Sequence, residues 1–285
     1  MPDHIDAIRI PFRLQIGPGK SLDRFVYAYV IFGPRIVVID SGVAGSAQTI
    51  LDCVRARGRD PNEITTVVLT HAHPDHIGGL LGLKKEIGCK VAAHADAVAW
   101  IEDVELQFRE RPVPNFHDLV GGSIKVDWPL HDGDVLPLGD GHELTVIHTP
   151  GHAAGHIALL DRQRGVLFSG DTIPAPGTLP IYDDPLALLR SLQRLRAIDG
   201  VRFLYSSWDE PREGNFVQTI DAGIDYVRRV HTAVLEAAAD AADPKAVTER
   251  VLAKLGIPPM PISPLLVRTV EAHRRLAGEV ELGCP

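Results

Sequence analysis

Cysteine is scarce in this chain. Only Cys53, Cys89 and Cys284 occur among 285 residues, an odd number with no CxxC pair. A disulfide framework is therefore excluded, and free thiols in a reducing compartment are expected. A chain of this length buries enough of its surface to need no covalent staple. No apolar run approaches the ~18 residues of a membrane span. The opening MPDHIDAIRI also lacks the basic and apolar regions of a secretory leader, so the expected location is cytoplasmic, with no membrane partner. Positive charge is in deficit: 29 Lys and Arg against 37 Asp and Glu give a net charge of −8. With no clustered basic face, no nucleic acid is expected as partner. Methionine (2) and tyrosine (5) are few, whereas histidine, at 13, is in excess.

Short Val- and Ile-rich runs bounded by Gly, Pro or Asp predict strands over 8–16, 26–32, 35–40, 65–70, 90–93, 143–148, 157–160, 165–169 and 201–205. Helical periodicity falls at 46–57, 79–87, 95–102 and 185–198, the last with Asp184 as N-cap ahead of Pro185. This alternation of hairpins and βα units gives an α/β class, with sheets covered by helices. From Asn215 the texture becomes Ala-rich, with three helical patterns near 216–240, 244–255 and 263–278. The expected organisation is a catalytic domain over 1–214 and a helical C-terminal extension over 215–285. Residues 103–130 show little periodicity and are read as a long loop region of the kind that forms lids or binding walls.

The histidines are clustered. His71, His73 and His76 fall within six residues, and His148, His152 and His156 recur at four-residue spacing. The run Thr70-His71-Ala72-His73-Pro74-Asp75-His76 sits between the apolar strand ITTVVLT and a Gly-Gly-Leu-Leu helix start. Residues two apart at a strand end point to the same side, so His71 and His73 can share one ion, while Asp75 and His76 project from the following turn. Imidazole and carboxylate suit Zn²⁺, Fe²⁺ or Mn²⁺.

Three further motifs follow the same logic: Asp40-Ser41-Gly42 at the end of an early strand, His148-Thr149-Pro150-Gly151-His152-Ala153-Ala154-Gly155-His156, and Ser169-Gly170-Asp171-Thr172. In this order they resemble the metallo-β-lactamase superfamily over about residues 8–210. The resemblance implies an αββα four-layer sandwich. It implies a first metal on His71, His73, His152 and Asp171, and a second on Asp75, His76 and the bridging Asp171, with Asp40 supporting the ligands. His148 and His156 are read as structural. The family usually supplies one more histidine after a late strand. Here that strand continues Ser206-Ser207-Trp208-Asp209, and no histidine lies between His156 and His231. Trp208 stands near the expected position, and an indole N–H is a donor only. One tight site and a second that is weak or empty are therefore expected, with His231 or Asp209 as possible replacements. Zinc is the expected ion, with iron or manganese as alternatives.

The resemblance implies a hydrolase of a small carbonyl ester, thioester or lactone that uses metal-bound hydroxide as nucleophile, as in glyoxalase II and the acyl-homoserine lactonases. Asp75 would orient the water or take its proton. No G-x-S-x-G elbow competes for the nucleophile's role. The alternative is a mononuclear iron enzyme resembling the persulfide dioxygenases, which share the fold. The expected partner is a small-molecule substrate, with Tyr182 and Trp208 among the aromatics proposed to wall its pocket. The Ala and Leu faces of the last helices leave a homodimer open.

Overall fold

The structure is a computed structural model that describes residues 2–17, 19–239, 243–278 and 282; Cys284 lies outside them. The chain forms two compact units. The first takes 1–148, 155–170 and 200–214, and the second 149–154, 171–199 and 215–285.

The first unit holds both sheets. One has strands β1 (Ile5–Gly17), β2 (Lys20–Ile31), β3 (Ile36–Ile39), β4 (Ile64–Leu69), β5 (Lys90–His94) and β6 (Trp128–Leu130), side by side in that order. β1 to β3 pair antiparallel, and β3 to β6 pair parallel. The other has β7 (Val135–Gly139), β8 (His142–His148), β9 (Ile157–Asp161), β10 (Val166–Gly170), β11 (Phe203–Ser206) and β12 (Arg212–Glu213), also in sequential order, with β10 and β11 parallel and the rest antiparallel. Their facing side chains make one core. Tyr29, Ile39, Val68 and Ala92 from the first sheet pack with Val146, Leu159, Phe168 and Tyr205 from the second. Tyr29 meets Tyr205 edge to face with ring centroids 5.2 Å apart, a favoured geometry for aromatic pairs. Because β3 is buried throughout, its sequence IVVI is continuously apolar and does not alternate.

The same unit carries α1 (Ala47–Ala56), α2 (Pro74–Ile77), α3 (Leu80–Glu86), α4 (Val98–Glu102), α5 (Val104–Glu110) and α6 (Phe116–Leu119). The expected loop over 103–130 is thus corrected: it contains α5, α6 and β6. Each is too short to show a period in sequence, and α5 begins because the Asp103 carboxylate accepts the Leu106 N–H at 2.9 Å.

The second unit is helical: α7 (Pro185–Arg196), α8 (Phe216–Ala238), α9 (Pro244–Lys254) and α10 (Pro264–Arg275). Asp184 caps α7 as its sequence predicts, accepting from the N–H groups of Leu186 and Ala187 at 3.0 and 2.9 Å. Val230, Val234, Val247, Val251 and Val270 form this unit's own core. Two sheets with flanking helices are the αββα sandwich that the motifs imply. No helix among the described residues is long and apolar enough to cross a membrane.

Candidate metal centre

The HxHxDH run leaves the end of β4. Pro74 starts α2 with His73 at its N-cap, so the chain turns sharply and His71, His73 and His76 converge. All three are buried. The turn is fixed from both sides. The amide N–H and the hydroxyl of Ser41 both donate to the His76 carbonyl at 2.8 Å, and the Gln107 side-chain amide donates to the carbonyl of Ala72. The glycine after the motif is a packing requirement. A Cβ on Gly78 would collide with the Leu119 carbonyl oxygen and would lie 2.7 Å from the Ala44 nitrogen.

Asp40 organises this cluster. Its carboxylate accepts the Thr70 N–H at 2.7 Å, the Thr70 hydroxyl at 2.8 Å and His76 Nδ1 at 2.8 Å. An ionised carboxylate only accepts, so His76 carries its proton on Nδ1 and presents an Nε2 lone pair. Having given its hydrogen to Asp40, the Thr70 oxygen accepts from His71 Nδ1, 3.0 Å away, which leaves Nε2 of His71 as an acceptor too. That Nε2 lies 3.0 Å from His73 Nδ1. The Asp75 carboxylate, at the first turn of α2, is 3.6 Å from His76 Nε2.

In the second unit, His152 Nδ1 donates to the Ile181 carbonyl at 2.7 Å, so its Nε2 is again the acceptor, and it stands 3.4 Å from Asp171 Oδ2. His71, His76 and His152 thus each have their tautomer set by an oxygen of their own unit, as ligating histidines ordinarily do. Each unit offers donors that suit a borderline divalent ion: the buried imidazoles of His71, His73 and His76 with the Asp75 carboxylate in the first, and buried His152 with Asp171 in the second.

The remaining expectations fall as follows. His156 is buried, with its ring 4.9 Å from that of His71. His148 stacks on His94 at 3.9 Å, and these two form a further His/Asp group with Asp96. The Asp96 N–H, however, donates to His94 Nδ1 at 3.2 Å and occupies that lone pair. Sequence reading missed His94, a single histidine at a strand end. His231 lies 3.2 Å from His273 within the second unit, and Asp209 pairs with Arg212 at 3.1 Å. Tyr182, expected in a pocket wall, is instead a core residue, only 1% exposed, with its hydroxyl on His273. Trp208 is half-buried beside Phe12 and Phe25, with ring centroids 6.3 and 6.4 Å away. Burial pushes the Cys53 thiol up to about 11 and raises that of Cys89, so neither is a thiolate nucleophile near neutrality.

With this geometry in place, comparison with known proteins is decisive for the family. Residues 22–248 match the metallo-beta-lactamase superfamily. The chain belongs to that superfamily. Its members bind metal ions, and the His/Asp groups described above are of the kind that hold them. An acyl-coenzyme A thioesterase MBLAC2 from Gallus gallus is 34% identical over 153 residues, 49% of this chain and 54% of that protein. A hydroxyacylglutathione hydrolase from Rhodopseudomonas palustris (strain HaA2) is 29% identical over 180 residues, 63% of this chain and 60% of that protein. The chain spans less than two thirds of the length of these curated relatives. In fold, it is similar to a metallo-beta-lactamase family protein from Thermus thermophilus, with a TM-score of 0.75 at 21% identity, covering 97% of this chain and 94% of the other.

Proposed function

We propose that this protein is a metal-dependent hydrolase of thioesters, within the wider class of small esters, thioesters and lactones that the motifs imply. The observation that carries the reading is the tautomer control at His71, His76 and His152, which leaves each ring with an Nε2 lone pair of the kind a cation takes. His71, His73, His152 and Asp171 would hold one ion, and Asp75, His76 and Asp171 a second. An ion so held lowers the pKa of a coordinated water toward ~7 and polarises a carbonyl. The chain's own contribution is acid–base. Asp75, a carboxylate on the first turn of α2, takes up a proton from the attacking water and returns it to the departing thiolate, which leaves as the thiol. The thioester preference is supported by relatives named for thioester cleavage.

The test is hydrolysis of an acyl-coenzyme A and of a hydroxyacylglutathione by the purified chain. Cleavage that disappears on chelation and returns with added zinc or manganese supports the proposal. An iron-loaded protein that consumes oxygen and leaves both thioesters intact overturns it in favour of a dioxygenase.

A further inference from the structure

The long hairpin of β1 and β2 groups Arg9, Arg13 and Arg24 in one place, in a chain of net charge −8. A cavity of about 450 Å³ is lined there by Arg9, Phe12, Arg13, Arg24 and Phe25, with Asp23 as the one acid. Arg13 is paired with Asp23 at 3.1 Å. The other two guanidinium groups lie over aromatic faces: Arg9 is 4.0 Å from the Phe25 centroid, and Arg24 is 5.7 Å from that of Trp208. Trp208 in turn packs on Phe12 and Phe25.

Each half of this arrangement selects a ligand chemistry. Guanidinium groups are planar forks that match phosphate oxygens. Half-buried aromatic side chains such as Phe12, Phe25 and Trp208 take up a planar ring at their remaining surface by stacking, with arginine adding cation–π attraction. A ligand that satisfies both is a nucleotide. The cavity volume is in the range of small-ligand sites, ~300–1,000 Å³. The cavity is also anchored to the catalytic end of the first unit. The Tyr27 N–H donates to the Ser207 carbonyl at 2.8 Å, and the Ser207 N–H donates to the carbonyl of Gly170, the residue before Asp171, at 3.2 Å.

We propose that this arginine–aromatic cavity holds the nucleotide end of a coenzyme A thioester, a substrate assignment that rests on the thioester-hydrolase reading above. A glutathione thioester offers neither a planar ring nor a phosphate, so the cavity separates the two carriers.

Free coenzyme A, adenosine 3′,5′-bisphosphate and glutathione are titrated into the whole chain by calorimetry at low and moderate salt. Coenzyme A and the bisphosphate are expected to bind, more weakly as salt rises. Kd should increase about tenfold in Arg24→Gln and Arg9→Gln, and fall back toward wild type in Arg24→Lys only in part. Equal Kd in wild type and both Gln variants, or glutathione binding as tightly as coenzyme A, overturns the proposal. Binding of free coenzyme A needs no turnover, so the two readings fail separately. A chain that binds coenzyme A yet cleaves no thioester sinks the hydrolase, whereas one that cleaves hydroxyacylglutathione and ignores coenzyme A sinks the cavity assignment.

Discussion

The hydroxyl of Tyr182 and Nε2 of His273 lie 2.6 Å apart, and Nδ1 of the same imidazole is 3.2 Å from Nδ1 of His231. This buried chain joins α8 and α10 to the segment whose carbonyl, at Ile181, orients His152. Burial, aided by the neighbouring His231, lowers the pKa of His273 from 6.5 to about 3. The unfolded chain therefore takes up the proton first. The contribution of His273 to stability is fully present above about pH 6.5 and is lost as pH falls toward 3, at roughly 1.4 kcal/mol per pH unit across that window. Burial shifts His231 in the same direction. Urea unfolding at steps from pH 7 to pH 4 checks this. The wild type should lose stability more steeply than His273→Gln, and parallel slopes would contradict it.

Asp40 would act on a bound metal through others. Asp40→Asn keeps the shape but removes the acceptor that fixes His76 and, by way of Thr70, His71. Metal affinity is expected to fall about 10–100-fold, read by competition with a chromophoric chelator. Thr70→Val should weaken it less, because only the His71 link is lost. Unchanged affinity in Asp40→Asn would show that the tautomers are set elsewhere.

Asp75→Ala and His73→Ala should leave the circular dichroism of the fold intact and cut turnover by about 10²-fold or more. Near-wild-type kcat in Asp75→Ala would remove its acid–base role.

The resemblance implies that Trp208 takes the sequence place near which the family usually supplies a last imidazole. After mild chelation, elemental analysis should therefore find one ion per chain, and Trp208→His should raise retention of a second. Two tightly held ions in the wild type would falsify the weak second site.

Gly170 adopts φ 54°, and a Cβ there would lie 2.6 Å from His156 Nε2 and 3.1 Å from the Thr70 Cβ. Gly170→Ala is expected to destabilise the protein by about 1–3 kcal/mol, visible as a lower thermal midpoint, with metal binding weakened because Asp171 is displaced with it. A midpoint within error of wild type would mean that His156 can move aside at little cost.

Much of this was legible in the sequence because it is written locally. The strand-end HxHxDH run, the Pro74 that forces the turn and the Asp184 cap all act within a few residues of themselves. Asp40 was also readable, but only through the resemblance, since nothing within 35–45 says that its partners lie about thirty residues away at Thr70 and His76. Reading failed where partners are distant or elements short. Tyr182 reads as a pocket-wall aromatic in a Pro-rich stretch, and the return of α10 with His273 shows it as core. The arginines of β1 and β2 look like an ordinary solvated face until Trp208 is placed beside them. The helices within 103–130 span less than two turns each and leave no periodic trace.

The two compact units are interleaved along the chain, which leaves the first after residue 148, re-enters it at 155, leaves again after 170, returns at 200 and departs finally after 214. No single cut in the gene separates them. A truncation after codon 214 would strip away the last helices yet keep 149–154 and 171–199, orphaned from the core on which they fold. A single crossover cannot exchange the whole helical unit as a cassette, because two of its three segments lie between parts of the sheets.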